Sequence, residues 1–244
     1  MSTNSDKSFW HHYIPYYESF FLKREISTIA EIGIFKGASI RWLLERFPKS
    51  TIYGADILDY QDEWPRDTRF LFQKLDQGNS ELLSAFFNQA QFDLIIEDGS
   101  HHPDHQVLSL IHGIPHLKSN GLYILEDIHT SKPLHSLNKK FLSRPNHKGN
   151  ALSVLLAIDH YKKINIALTD DIAEKIALNS KLTKNQVLSI DREIKSIHLY
   201  KRTCLPNQCV KCGEIHFNFH NYRCLCGTEI FSDNDSMAFV LEKK

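Results

Sequence analysis

Two short apolar runs each end in a cluster of residues able to do chemistry. FDLIIEDGSH places Asp98 and His101 after Leu94-Ile95-Ile96, and GLYILED places Glu126 and Asp127 after Leu122-Tyr123-Ile124-Leu125. Carboxylate oxygens are hard ligands suited to Mg²⁺, which keeps open positions for water or substrate oxygens. Two vicinal hydroxyls can chelate such an ion, and the one it acidifies needs a base. His101, three residues beyond Asp98, fits that role, and general base catalysis contributes ~10²–10⁴-fold in rate. A single acidic residue at a strand end is often a helix cap or a solvated loop group. The convergence of three on one edge is what favours a site.

The positioning elements follow from periodicity. Both apolar runs read as strands buried on two faces, and Val107, Leu108, Leu110, Ile111, Ile114 and Leu117 between them carry a helical period. The unit is therefore strand, helix, strand, with parallel strands and a right-handed crossover, and it sets Asp98, Glu126 and Asp127 side by side. In an open α/β sheet, ligands bind beyond the carboxyl ends of the strands. Upstream, residues 29–33 read as a strand and 38–47 as a helix stopped by Pro48. Between them EIGIFKGAS carries Glu31, Gly33 and Gly37 at the spacing of a strand, tight turn and helix start. Glycine permits such a turn and a close backbone approach to a ligand. The strand at 51–57 contains Asp56, about twenty residues beyond the turn, where an acid can accept hydrogen bonds from both ribose hydroxyls. A third strand, 69–75, ends at Asp76-Gln77, and a helix over 80–90 returns to the central stretch.

The succession EIGIFKGAS, IYGADI, LDQ, FDLIIEDGSHH, LKSNGLYILEDIHTS and IKSIHLY resembles the class I S-adenosylmethionine-dependent methyltransferases. Within them it is most similar to the metal-dependent sugar O-methyltransferases of macrolide biosynthesis and their cephalosporin-hydroxylase-like and rhamnosyl O-methyltransferase-like relatives. The similarity covers residues 10–200 and the last strand. It implies an α/β, Rossmann-like sheet, mostly parallel with an antiparallel last strand and with helices on both faces. It further implies that Asp98, Glu126 and Asp127 bind Mg²⁺, that His101 is the general base, and that Glu31, Gly33, Gly37 and Asp56 contact S-adenosyl-L-methionine. Asp76 and Gln77 occupy the place of the family's D-Q pair near the adenosyl end. Relatives of this kind commonly form homo-oligomers. His129-Thr130-Ser131 follows the carboxylate pair and is a candidate for substrate contact.

The carboxyl-terminal section departs from that pattern. SIHLY and MAFVL read as the antiparallel strands that close such a sheet, usually joined by a short hairpin, yet over thirty residues intervene. They contain CVKCG, with Cys209 and Cys212, and RCLCG, with Cys224 and Cys226. A C-x-x-C-G turn points backbone amides at thiolate sulfurs, and two such turns complete a tetrahedral zinc site. The second turn is one residue short, so Cys204, His216 or His220 stands as an alternative fourth ligand. An insert this small cannot bury enough apolar surface to fold alone, which a structural Zn²⁺ would remedy. Its Phe217, Phe219 and Tyr222, with Lys211 and Arg223, suit base stacking, a dimer contact or a cover over the site. The resulting organisation is a methyltransferase core at 1–202, a zinc-ribbon-like insert at 203–235 and the last core strand at 236–244.

Composition bounds the alternatives. The 244 residues suffice for one domain with a sizeable core. The 29 basic and 29 acidic residues cancel, which argues against a nucleic-acid or polybasic membrane partner. The first residues lack the pattern of a secretory signal and no apolar run approaches the ~20 residues of a membrane helix, so a soluble cytoplasmic protein is expected. All five cysteines lie between 204 and 226, a clustering that favours metal over disulfides. Residues 10–22 are rich in aromatics and suit a helix packed on the sheet or a wall of the site. The basic stretch 132–148 suits a mobile loop over the site, either a solvated face or a phosphate contact. Residues 150–161 carry a helical period, and 164–190 mix strand and helix signals. The expected activity is O-methyl transfer to a hydroxyl of a sugar, glycoside or related secondary metabolite. A nucleic-acid methyltransferase gripping RNA through the ribbon and a non-catalytic S-adenosylmethionine-binding module are the competing expectations.

Overall fold

Strands come from the apolar runs of the sequence, and the central sheet collects them by their two-residue alternation. The computed structural model describes residues 5–133, 135–136, 139, 150–178, 180–232 and 235–244. Its sheet contains β1 (Thr28–Ile32), β2 (Thr51–Asp56), β3 (Phe70–Lys74), β4 (Phe92–Glu97), β5 (Leu117–Leu125), β6 (Ile194–Lys201) and β9 (Met237–Lys243). The seven strands run in the order β3-β2-β1-β4-β5-β9-β6. The first five are mutually parallel, while β9 lies antiparallel between β5 and β6. Two short strands, β7 (Phe217–Asn218) and β8 (Arg223–Cys224), form a separate hairpin in the connection from β6 to β9.

Both faces of the sheet are covered. Ile95, Tyr123 and Leu125 pack on one side, and Leu94, Ile96, Leu122 and Ile124 on the other, all fully buried. Each such side chain contributes about 1.5–3 kcal/mol on leaving water, which explains why these runs are apolar without interruption. The first face carries α4 (Ser80–Phe87), α5 (Pro103–Gly113), α6 (Ala151–Lys163), α7 (Asp170–Leu178) and α8 (Lys184–Glu193). The second carries α2 (Tyr13–Phe21) and α3 (Ala38–Arg46), preceded by the single turn α1 (Asp6–Phe9). Local chemistry sets several starts. The Asn79 side chain accepts the Glu81 and Leu82 amides, Pro103 opens α5, and Thr183 with Gln186 forms a capping box.

The expected elements are present with ends shifted by a few residues. The ambiguous region 164–190 resolves into α7 and most of α8, whose apolar residues Ala173, Val187 and Ile190 reach the core. The basic stretch 132–148 falls mainly outside the described residues. No helix among the described residues is long and apolar enough to cross a membrane.

Candidate active site

The carboxyl ends of β1, β2, β4 and β5 meet because the ladder continues one step past the strands. The Asp98 amide donates to the Ile32 carbonyl at 2.8 Å and the Glu126 amide to the Glu97 carbonyl at 2.9 Å. Asp98 thereby stands over the end of β1, with Glu126 beside it. Gly33 makes this possible: its φ is +92°, and a Cβ there would lie 2.0 Å from the Asp98 carbonyl oxygen. Gly37, at φ +72°, opens α3 in the same left-handed region. Asp56 holds the turn between the two glycines. One of its oxygens accepts the Ile34 and Phe35 amides at 2.8 and 3.0 Å, and the other accepts the Leu58 amide at 2.9 Å. A carboxylate has about four lone-pair sites, so acceptor capacity remains for a ligand.

Two cavities share the wall formed by Gly33, Phe35, Asp98 and Gly99. One, about 360 Å³, is lined by Asp56, Ile57, Leu58, Asp76 and Gln77. Ile57, Leu58 and Phe35 leave apolar surface exposed there, suited to a flat ring. Gln77 is buried, donates to Ser109 and Glu97, and accepts the Ser100 amide at 2.8 Å, so it fixes the loop after β4. Glu97 lies beneath that loop, and burial pushes its carboxyl up to about 7. The other cavity, about 320 Å³, is lined by Lys7, His11, Asp98, His101, Glu126 and Asp127.

Inside the second cavity, the described residues bring Asp98, His101 and Asp127 together, with ligand atoms within 4.8 Å of one another. His101 Nε2 lies 4.0 Å from Asp98 and 3.7 Å from Asp127. His101 and Asp127 both hold positive φ, 54° and 50°, a conformation uncommon for such residues and concentrated at functional sites. Thr130 Oγ1 donates to the His101 carbonyl at 3.0 Å and steadies the loop. Burial disfavours the charged imidazole of His101, but Asp127 and Asp98 outweigh it and raise its pKa. Burial acts against the Asp127 carboxylate as well. His11, His101, His129 and the Tyr13 hydroxyl nevertheless hold it well below the usual range. Tyr13 donates to Asp127 at 2.7 Å, while the rings of His11 and His129 stand 3.6 and 3.8 Å away.

Glu126 is placed differently. Its Oε2 accepts a hydrogen bond from Lys7 Nζ at 2.7 Å, and the same ammonium donates to Asp98 and stands 3.9 Å from Glu31. Lys7 is only 3% exposed. Burial disfavours its charge, yet Asp98, Glu126 and Glu31 raise its pKa well above the ordinary value. One ammonium facing two buried carboxylates and the partly exposed Asp98 leaves an excess of acid. Burial, opposed by Lys7 and Ser39, accordingly pushes Glu31 up to about 7. Of the three carboxylates expected to bind Mg²⁺, Asp98 and Asp127 share a cation-sized space with His101, whereas Glu126 and Asp98 share Lys7.

Lys7, His11 and Tyr13 are the site residues that sequence reasoning missed. Nothing in DKSFWHHY pairs Lys7 with Asp98, 91 positions away. Of the aromatic run, Tyr13, Tyr17 and Phe21 pack in the core as a helix on the sheet requires, and Tyr13 in addition turns its hydroxyl to Asp127.

A second cluster lies in the connection between β6 and β9. The sulfurs of Cys209, Cys212, Cys224 and Cys226 lie within 4.8 Å of one another, with Cys209–Cys226 at 3.7 Å and Cys212–Cys224 at 3.4 Å. Tetrahedral Zn–S bonds of about 2.3 Å require sulfurs about 3.8 Å apart, close to both values and far from a disulfide. The turns close at Gly213 and Gly227: the Gly213 amide donates to the Cys209 carbonyl and the Gly227 amide to the Cys224 carbonyl. The second turn thus closes one residue earlier, which accommodates its shorter spacing. Cys204 lies apart, 3.2 Å from His12 Nδ1.

The strand order, the antiparallel closing pair and the glycine turn over the first strand define a Rossmann-like class I methyltransferase fold. Among solved structures, the chain is similar to the MycE methyltransferase of the mycinamycin biosynthetic pathway in complex with Mg, SAH and mycinamycin VI. The TM-score is 0.59 at 23% identity, over 96% of this chain and 49% of that one. Among curated proteins, the mycinamicin VI 2''-O-methyltransferase of Micromonospora griseorubida is 32% identical over 135 residues, 50% of this chain and 33% of that protein. The demethylmacrocin O-methyltransferase of Streptomyces fradiae is 33% identical over 131 residues, again 50% of this chain and 33% of the relative. The matched segments thus span about a third of the length of these curated relatives. No family model matches the chain.

Proposed function

We propose that the protein transfers a methyl group from S-adenosylmethionine to a hydroxyl of a sugar, glycoside or related secondary metabolite. The observation that carries this reading is the contact of Gly33 with the Asp98 backbone. It gives an apolar slot, suited to a nucleoside, and a carboxylate–histidine chamber a common wall. A donor lying across the glycine turn would meet Asp56, Asp76 and Gln77 at its adenosyl end. Its ammonium would meet Glu31, which is fully buried near the end of β1.

The acceptor side follows from the chemistry of the chamber. A sugar hydroxyl is a poor nucleophile because its pKa lies far above neutrality, so the task is to remove its proton and aim its oxygen. Asp98 and Asp127 fit a divalent cation by donor type and separation, with His101 beside them as the base. Mg²⁺ bound there would acidify a coordinated hydroxyl. Positive charge beside Asp98 and Asp127 would also offset what raises the His101 pKa, so that more of the ring is neutral and free to take the proton. Tyr13 and the three histidines around Asp127 keep that carboxylate ionised. Zn²⁺ held by the four clustered cysteines would be structural, since all four ligands come from the protein.

Calorimetric titration of S-adenosylmethionine into protein stripped of divalent ions, with and without Mg²⁺, tests the reading. Binding is expected in at least one condition, followed by turnover in a screen of glycoside acceptors. A well-folded protein that binds no donor in either condition would overturn it.

A further inference from the structure

The amino-terminal strap, residues 5–13, lies between the site and the cysteine-rich ribbon and touches both. On one side Lys7 reaches Asp98 and Glu126, His11 stands beside Asp127, and Tyr13 donates to Asp127. On the other, Asn207 donates its amide to the Phe9 carbonyl at 2.8 Å, and Trp10 packs into the cluster formed by Cys209, Cys224 and Ile230. The Arg202 guanidinium stacks 5.0 Å over the Trp10 ring while donating to the Ile230 carbonyl and Asp235. Cys204 meets His12.

We propose that the four-cysteine ribbon is the latch of this strap, and through it positions Lys7, His11 and Tyr13 on the carboxylates of the site. A helix of one turn, such as α1, does not persist alone because nucleation is unfavourable. Holding a buried ammonium against carboxylates requires fixed geometry, since desolvation otherwise exceeds the attraction. The strap therefore needs an external anchor, and Trp10 in the ribbon supplies one. The ribbon needs the strap in turn: its own cluster has three fully packed members, and Trp10 enlarges it. Zinc, ribbon and strap form one cooperative unit. The involvement of zinc rests on the structural-zinc reading above, while the latch rests on the contacts of Trp10, Asn207 and Arg202.

Hydrogen exchange on the full chain separates the two. The variants are Trp10→Ala, which keeps every cysteine, and Cys212→Ser, compared with untreated and chelator-treated protein of measured zinc content. The expected result is that amides of residues 8–11 lose about tenfold or more of their protection in both variants and after chelation, while β1 and β4 keep theirs. Calorimetry with Mn²⁺ adds a readout of position: Trp10→Ala and Lys7→Met should shift its affinity in the same direction, and the double variant no further. Strap amides that stay protected when the ribbon opens would overturn the latch, as would fully additive shifts in Mn²⁺ affinity. A protein purified without zinc overturns only the zinc reading, and loss of strap protection in Trp10→Ala still upholds the latch.

Discussion

At the scale of single residues, the site is a competition between buried acids and the few cations that reach them. Glu31 ends inside that competition with its pKa pushed up to about 7 from an ordinary 4.5. A carboxyl with a raised folded pKa binds an extra proton in the folded state between those two values. Its presence therefore makes stability fall as pH rises from 4.5 to about 7, with no further change above. Glu31→Gln is expected to remove this slope, on the order of 3 kcal/mol in a donor-free protein, when denaturant midpoints at pH 5 and pH 8 are compared. In the proposed mechanism His101 and Asp98 belong to the reacting centre, and neither is a core side chain. His101→Ala and Asp98→Ala should each lower turnover about 10²-fold or more, with the melting temperature little changed in His101→Ala and lowered in Asp98→Ala, where the buried Lys7 loses a partner. Full activity in either variant would remove the assigned base and its carboxylate partner.

At the scale of elements, the turn from β1 to α3 decides how close the apolar cavity comes to the carboxylates. Gly33 is the point of contact, with φ +92° and its Cβ direction blocked by the Asp98 backbone. Gly33→Ala is expected to cost about 2–4 kcal/mol and to abolish donor binding, because left-handed strain adds to a backbone clash. Thermal melts and donor titration on the same preparation check both; a variant that melts and binds like the parent would show that the turn can move aside. The ribbon is an element of another kind, with little core of its own.

For the whole molecule, the sheet and the ribbon have different sources of stability. The sheet is packed on both faces by the two main clusters, whereas the ribbon has Cys209, Cys224 and Ile230. Chelation should open residues 203–235 while leaving the sheet folded, since β9 retains β5 and β6 as neighbours. Far-UV circular dichroism with peptide-resolved exchange should therefore show an early local transition and a later global one. A single transition at the same chelator concentration would tie the sheet to the metal.

Period, glycine spacing and apolar runs were enough to read the central strands and the crossover helix from the sequence, while the antiparallel closing pair followed from the resemblance of SIHLY and MAFVL to the end of a class I methyltransferase sheet. Period, spacing and runs are all local signals. Asp98 and Asp127 were legible because they closely follow the ends of β4 and β5, whose register sets them side by side, and His101 because it lies three residues beyond Asp98 on the same loop. The clustering of the four cysteines was legible because each pair sits in one short turn. Tertiary structure alone decided that Lys7 enters the carboxylate cluster, that Glu126 turns towards it, and that Trp10 joins the ribbon. These contacts join segments far apart in the chain through burial of charge and aromatic surface. No local period encodes that kind of pairing; it arises only when the sheet has folded and left a space that a distant side chain can fill.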